Sequence, residues 1–180
     1  TIREGQASNG LPRMVLARAV LDAADAQAAV ALLRGHPRAG SFHLSIAHTG
    51  EPQLLSVEYG AFACSVQAVA QPTVHANHAV HARMRDFPQL VTGSSGFRQM
   101  RGDSLLAQFA QQGQAVDPLA ILSDTGHPAY PIYRSDPADS DAENTMATAD
   151  IRVAAAGIHW QVRESPSGPV RFEMNGAGRS

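Results

Sequence analysis

The sequence contains a single cysteine, Cys64, among its 180 residues. One cysteine cannot form a disulfide within the chain, and it excludes the paired C-x-x-C ligands of many structural zinc sites. Because Cys64 lies in the apolar run "AFACSV", we expect it to be a small, buried hydrophobic residue. A single cysteine does not indicate whether the protein resides in an oxidising or a reducing compartment.

The chain also lacks any run of basic residues. Its formal net charge is −2 and its pI is near 6.4, so it offers no electrostatic footprint for nucleic acid. No stretch approaches the roughly 18–20 apolar residues of a membrane span. The first ten residues are polar, unlike a signal peptide. We therefore expect neither nucleic acid nor a membrane as a partner, and the cytoplasm is the favoured compartment.

Apolar residues are nevertheless abundant, at 44 % of the chain, which is enough for a substantial core. A length of 180 residues suits one domain covering the whole chain. Apolar residues at helical spacing predict helix over 11–34, with a junction between two helices at 22–25. A further helical segment is predicted over 94–123, where Asp117 and Pro118 suit a cap and a first turn.

Elsewhere the apolar pattern changes to the alternation typical of β-strands. Residues 41–48 and 53–60 alternate around the turn sequence "TGEP", which predicts a hairpin. Residues 61–69 predict a third strand and 73–77 a short fourth one. Three more strands are predicted at 145–153, 157–164 and 168–175. Helices and strands thus occur in separate blocks, which indicates an α+β fold with helices layered on largely antiparallel sheet.

The stretch "QPTVHANHAVHARM" carries three histidines at three-residue spacing, His75, His78 and His81. On a helix, His81 would lie about 240° around the axis from His75, at about 100° per residue. On a strand, residues i and i+3 face opposite ways. Neither geometry gathers the three rings, so no metal or other cofactor is expected. A metal-dependent hydrolase that uses His75, His78 and Asp86 stays as an alternative.

Asn77, in the same stretch, suggests a different chemistry. If 73–77 is a strand, Asn77 shares one face with His75. A buried asparagine amide must find partners or cost about 1–3 kcal/mol. Donation to a developing oxyanion during acyl transfer is one role that provides such a partner. A structural, turn-capping asparagine is the other interpretation open at this point.

"VHANH", residues 74–78, resembles the V-H-T-N-H signature of the acyl-CoA:6-aminopenicillanate acyltransferase family, also called peptidase family C45. Other stretches agree in order and spacing. They resemble the family's helix pair ("GLPRMVLARAVLDAADAQAAVALL"), its strand pair ("SFHLSIAHTGEPQLLSVEYG"), an arginine segment ("YPIYR") and its closing strands ("NTMATADIRVAAAGIHWQV"). The resemblance therefore covers nearly the whole chain from Gly10 onward.

The resemblance implies an N-terminal-nucleophile (Ntn) hydrolase with a four-layer αββα sandwich. In such proteins a precursor cuts itself, and the freed residue attacks an amide with its own α-amine as base. That amine titrates at about 7.7–8.0, far closer to neutrality than a lysine. Carried over by motif, Asn77 would stabilise the oxyanion and Arg134, after "YPIY", would bind a substrate carboxylate. His75 and His78 would support the loop, with His75 toward the substrate.

The first strand of the family pattern is missing from this sequence. The family's usual nucleophile is a cysteine on that strand, and Cys64, which is internal and has no free amine, cannot replace it. Two accounts stay open: Thr1 is freed by self-cleavage and is the nucleophile, or the nucleophile lies on an upstream chain. Either account predicts an upstream (alpha) chain as partner, because half a sandwich would expose a sheet face and edge. The resulting heterodimers could assemble further.

The leading functional hypothesis is an amide-bond hydrolase or acyltransferase. It would act through an acyl-enzyme on a small N-acylated amine, amino acid or peptide-like substrate. Hydrolysis and acyl transfer share that intermediate, so the sequence does not separate them. Besides the metal-dependent hydrolase, the remaining alternative is a non-catalytic subunit whose partner carries the chemistry.

Overall fold

A computed structural model of the chain describes residues 9–136 and 143–177. The described residues form two compact units. The first comprises residues up to Gln71 together with Asn77–Val91, and the second comprises Pro72–Ala76 and the residues from Thr92 onward. Helices and antiparallel sheets occur together, so the fold class is α+β, as predicted. The single domain and the four-layer sandwich stay predictions.

The first unit contains a helix pair, a three-stranded sheet and a short additional helix. Its elements are β1 (Leu11–Pro12), α1 (Arg13–Val20), α2 (Ala26–Gly35), β2 (Arg38–Ala39), β3 (Phe42–Ile46), β4 (Leu54–Tyr59), β5 (Cys64–Val69) and α3 (Ala82–Arg85). The predicted helix pair is confirmed, including its junction, where Asp25 accepts a hydrogen bond from the Ala28 N–H at 2.6 Å and caps α2. The helix prediction was wrong at 11–12, which form a short strand instead.

The predicted hairpin is confirmed as β3 and β4, and β5 adds the third strand on the other side of β4. Both pairings are antiparallel, with Phe42 opposite Tyr59 and Tyr59 opposite Cys64. Cys64 is half-buried where full burial was expected, because it stands at the start of β5 and only borders the core.

The core of the first unit lies between the helix pair and one face of this sheet. The helices contribute apolar side chains at i, i+3, i+4 and i+7, the spacing of a single helix face. The buried cluster consists of Leu16, Ala26, Ala29, Val30, Leu33, Ile46, Leu55, Val57 and Tyr59. On β4 the apolar members are Leu55, Val57 and Tyr59, so Ser56 and Glu58 face the opposite side of the sheet.

The chain entering α1 passes very close to the chain leaving α2. Leu11–Pro12 pairs in parallel with Arg38–Ala39. The Arg38 guanidinium is buried and donates to the Leu33 carbonyl at 2.6 Å and to the Gly60 carbonyl at 2.8 Å. A cation bound to the last carbonyls of a helix satisfies groups that the helix itself leaves unpaired. Arg38 therefore connects the end of α2 to the end of β4.

Gly10→Ala is expected to destabilise the protein by about 1–3 kcal/mol, the range for overpacking a well-packed site. A Cβ at Gly10 would lie between 2.3 and 2.6 Å from backbone atoms of Arg38, and backbone cannot move aside as a flexible side chain can. Urea unfolding would measure the loss. Gly35→Ala is the control, because a Cβ there meets nothing within 4 Å. An equal loss in the two variants would contradict the steric explanation.

The second unit consists of helices followed by a sheet. Its elements are α4 (Gly93–Gln111), α5 (Pro118–Leu122), β6 (Thr148–Ala154), β7 (Gly157–Arg163) and β8 (Val170–Ala177). The helix predicted over 94–123 is therefore two helices. The break follows from Gly113, whose φ of +62° ends α4 in the left-handed region that favours glycine. Asp117 caps α5 and Pro118 occupies its first turn, as predicted.

The three closing strands are confirmed as an antiparallel sheet in the order β6-β7-β8. Residues directly opposite each other share a face, which gives this sheet one apolar face. That face carries Ala149, Ile151, Val153, Ile158, Trp160, Val162, Phe172 and Met174. Several of its large side chains are exposed, Ile151 at 57 % and Phe172 at 47 %. Throughout the described ranges, none of the helices has the length and hydropathy needed to span a bilayer.

Candidate active site

The segment that carries "VHANH" has no regular secondary structure at 73–76 and bends at Asn77, so residues 73–77 are not the predicted fourth strand. The side chain of Gln99 on α4 makes the backbone hydrogen bonds that a neighbouring strand would otherwise make. The Ala76 N–H donates to Gln99 Oε1 at 2.8 Å, and Gln99 Nε2 donates to the Val74 carbonyl at 3.1 Å. Gly102 allows this close packing on α4, because a Cβ there would lie 2.9 Å from Val74 Cγ2.

Asn77 lies at a bend that follows this segment, and the residue is exposed. The expectation of a buried asparagine at a strand end was therefore wrong. The physical reason is that the chain turns at 77–78 instead of continuing as a strand with one face on a core. The oxyanion role of Asn77 does not depend on the strand and stays a prediction.

Two of the three histidines, His75 and His81, have different surroundings. His75 is half-buried in the second unit, and its Nδ1 donates to the Ala76 carbonyl at 2.7 Å. His81 is buried in the first unit, with its ring nitrogens within hydrogen-bond distance of Ser56 and Ser65. Among residues 9–136 and 143–177, no three His, Cys, Asp or Glu side chains are arranged to hold a metal ion. Within those ranges the metal-dependent alternative, which needs His78 and the exposed Asp86, gains no support.

Glu58 was missed by the sequence analysis. It lies on β4, the central strand of its sheet, and is only 2 % exposed. Its carboxylate accepts hydrogen bonds from the backbone N–H groups of Val80 and His81, at 2.7 and 3.1 Å. The available signal was the polar and charged pair Ser56 and Glu58, which alternates with apolar residues in "LLSVEYG". A charge inside such a strand predicts a specific partner, because a buried carboxylate without one is costly.

Arg134 is buried, with 5 % of its surface exposed. Its Nη1 donates to Ser94 Oγ at 2.7 Å, and its Nε donates to the Glu143 carbonyl at 2.9 Å. The backbone of Arg134 also exchanges hydrogen bonds with Thr145, at 2.7 and 3.1 Å. The arginine therefore joins the beginning of α4 to the chain that leads into β6. Binding of a substrate carboxylate by Arg134 stays a prediction.

Replacing Arg134 with leucine is expected to cost about 3 kcal/mol of unfolding free energy, because buried partners of a charged donor are left without it. Arg134→Lys should restore little of the loss, since an ammonium cannot reproduce the fork of a guanidinium. Urea unfolding of both variants tests this. Arg152→Leu is the control: its side chain is 72 % exposed beside Asp150, and about 0.5 kcal/mol or less is expected. Full stability of Arg134→Lys would contradict the expectation.

The loop that leads to Arg134 is held on α4 by two further contacts. Arg101 donates to both carboxylate oxygens of Asp124, at 2.9 and 2.6 Å. The hydrogen bond from Arg101 holds the pKa of Asp124 below its ordinary value, although partial burial opposes the shift. The rings of His127 and Tyr130 lie 4.6 and 5.3 Å from the ring of Phe97. The loop conformation before Arg134 is therefore fixed by side chains that the sequence analysis did not single out.

The predicted site residues are distributed over both units. His75 and Arg134 belong to the second unit, and Asn77 belongs to the first. Thr1 lies outside the described residues. Their assembly into one active site therefore stays a prediction.

Comparison with known proteins agrees with the motif. The family model described as "Acyl-coenzyme A:6-aminopenicillanic acid acyl-transferase" matches residues 1–165, which include "VHANH" and "YPIYR". A search of the curated proteins found no match. The matched family is of the acyltransferase or hydrolase type, which supports an enzyme. The chain belongs to the acyl-coenzyme A:6-aminopenicillanic acid acyl-transferase family.

Proposed function

We propose that the protein is an amide-bond hydrolase or acyltransferase of the Ntn type that matures by autoproteolysis. Its substrates would be small N-acylated amines, amino acids or peptide-like molecules. The observation that carries the proposal is the family match over residues 1–165. It includes the "VHANH" motif, whose asparagine is Asn77.

The proposed reaction begins with attack of the nucleophile on the carbonyl carbon of the amide. Thr1 supplies the hydroxyl, and its α-amine takes the hydroxyl proton, a recognised nucleophile and base pairing. The carbonyl oxygen becomes an oxyanion, to which the Asn77 amide donates. The intermediate then expels the amine, which receives the proton, and leaves an acyl-enzyme. Water or an acceptor amine takes the acyl group and restores the hydroxyl.

Two substrate contacts complete the proposal. Arg134 would bind a carboxylate of the substrate, a geometry for which a guanidinium is well suited. His75 would border the same substrate. The family match that includes "YPIYR" supports this role, and the hydrogen bonds to Ser94 and Glu143 hold the guanidinium in one orientation.

An upstream segment of the same precursor is proposed as partner, and it carries the nucleophile in the alternative account. The apolar face of the β6-β7-β8 sheet supports this part of the proposal. Ile151, Ile158, Phe172 and Met174 are all exposed on it, and contiguous exposed apolar surface marks an interaction site. Strands of an upstream segment packed on such a face are what a four-layer αββα sandwich requires.

Mass spectrometry of the protein made from its full-length gene tests the proposal. Intact masses and N-terminal sequences of every chain are expected to show one internal cut. Brief reaction with an acyl p-nitroanilide should then add the mass of one acyl group at a newly formed N-terminus. A chelator should leave the reaction unchanged, whereas it would abolish a metal-dependent one. An uncut chain that forms no adduct would favour the non-catalytic alternative.

A further inference from the structure

The turn that follows Asn77 and His78 has an unusually complete set of hydrogen bonds. Ala79 is bound at both its N–H and its carbonyl by the Gln89 side chain, at 2.9 and 3.2 Å. Val80 donates to Glu58 at 2.7 Å and accepts from Arg85 Nε at 2.8 Å. Every backbone donor and acceptor of these two residues therefore has a partner, although the turn contains neither helix nor strand.

His81 completes the set. Its N–H donates to Glu58, and its carbonyl accepts from the Met84 and Arg85 N–H groups at the start of α3. The ring of His81 reaches Ser56 Oγ at 2.9 Å through Nε2 and Ser65 Oγ at 3.1 Å through Nδ1. A segment bound at each polar group has little freedom to shift.

The sheet supplies part of this support, all of it from a single face. Ser56 and Glu58 alternate on β4, and Ser65 stands directly opposite Glu58 on β5. The opposite face of the same strand carries the apolar residues that pack on α1 and α2. Glu58 lies on the packed, central strand β4, and its carboxylate accepts hydrogen bonds from Val80 and His81. It therefore fixes the position of the turn relative to β4.

We propose that Glu58 is a positioning residue for acyl transfer. By fixing the Val80 and His81 amides, it sets the exit direction of the chain at Asn77 and thereby the direction in which the Asn77 amide donates. The inference rests on the proposed role of Asn77 as oxyanion donor. Glu58 itself touches neither the substrate nor the reacting atoms.

Glu58→Gln tests this directly. The Val80 and His81 N–H groups both reach Oε1 of Glu58, and the His81 N–H also lies 3.2 Å from Oε2. The glutamine has nearly the same size, but its NH₂ group replaces one of these oxygens and faces a backbone donor. Turnover of an acyl p-nitroanilide by the mature protein is expected to fall about 10–100-fold, the scale of a misplaced catalytic group. KM should change less than threefold. Amide hydrogen exchange at Val80 and His81 should become faster.

Glu51→Gln is the matched control. Glu51, in the loop between β3 and β4, also accepts a backbone hydrogen bond, but from Ala26 at the beginning of α2 (3.1 Å) and not from the turn at 79–81. Turnover in this variant should stay within threefold of wild type. If Glu58→Gln unfolds the protein, Gln89→Ala releases Ala79 instead, and the same fall in turnover is expected.

A double-mutant cycle separates this inference from the proposed function. In an Asn77→Ala background, Glu58→Gln should lower turnover less than threefold further, because the group that Glu58 positions is already absent. Equal falls in the two backgrounds would overturn the positioning role, as would unchanged turnover despite faster exchange at Val80. Wild-type turnover in Asn77→Ala itself would overturn the oxyanion role first, whatever Glu58→Gln does.

Discussion

Thr1→Ala in the full-length precursor is expected to give a single uncut chain with no amide-cleaving activity. In the proposed mechanism the same hydroxyl first attacks the peptide bond before Thr1 and later attacks the substrate. Alanine removes the oxygen for both reactions, so processing and turnover should be lost together. Gel separation of the chains, intact mass and turnover of an acyl p-nitroanilide measure the three consequences.

Thr1→Ser is the control for this experiment. Serine keeps the hydroxyl and the α-amine and loses only a methyl group, so cutting should continue and some turnover should remain. A Thr1→Ala protein that is cut and active would exclude Thr1 as nucleophile. The nucleophile would then be sought on the upstream segment, and N-terminal sequencing of that segment would identify it.

Much of the fold was predictable because it depends on local patterns. The helix pair α1 and α2 follows from apolar spacing, and the β3-β4 hairpin follows from alternation around a turn. The start of α5 was predicted correctly from Asp117 as its N-cap and Pro118 in its first turn. In each case the structure of the element is determined by residues close together in sequence, so one sequence is enough to predict it.

Two of the failures have the opposite property, since they depend on residues distant in sequence. Residues 73–77 have the composition of a strand, but the partner that satisfies Val74 and Ala76 is Gln99 on a helix. In the sequence, Glu58 interrupts the apolar residues of a strand, and its hydrogen bond to the Val80 N–H explains why a charge is present there. A local pattern can mark such a residue, as the alternation in "LLSVEYG" does for Glu58, but it does not identify a partner distant in sequence.

The candidate site divides in the same way. Short motifs in a fixed order were enough to identify the family, and the role of Asn77 stays a prediction from the "VHANH" motif. The surroundings of Arg134 were not predictable, since Ser94 lies 40 residues from it along the chain and no local pattern indicates the bond to the Glu143 carbonyl. Prediction from one sequence therefore identified the family, whereas the contacts that hold the candidate residues became known only from the structure.

Asn77→Ala is expected to lower turnover by about 10²–10³-fold, the range measured for loss of one oxyanion donor. The oxyanion exists only in the transition state and the intermediate, so the loss should appear in kcat and leave KM nearly unchanged. Asn77→Asp should be at least as damaging, because an ionised carboxylate has no N–H to donate and repels the developing charge. Steady-state kinetics of the mature protein with an acyl p-nitroanilide measures both variants.

Asn175→Ala is the matched control for Asn77→Ala, because Asn175 is another exposed asparagine, on β8. Its turnover should equal that of wild type, and substitutions at exposed positions should change the unfolding free energy by about 0.5 kcal/mol or less. If Asn77→Ala stays within threefold of wild-type turnover, Asn77 is not the oxyanion donor. The exposed position of Asn77 would then indicate a structural bend residue, and the donor would have to be sought among backbone N–H groups.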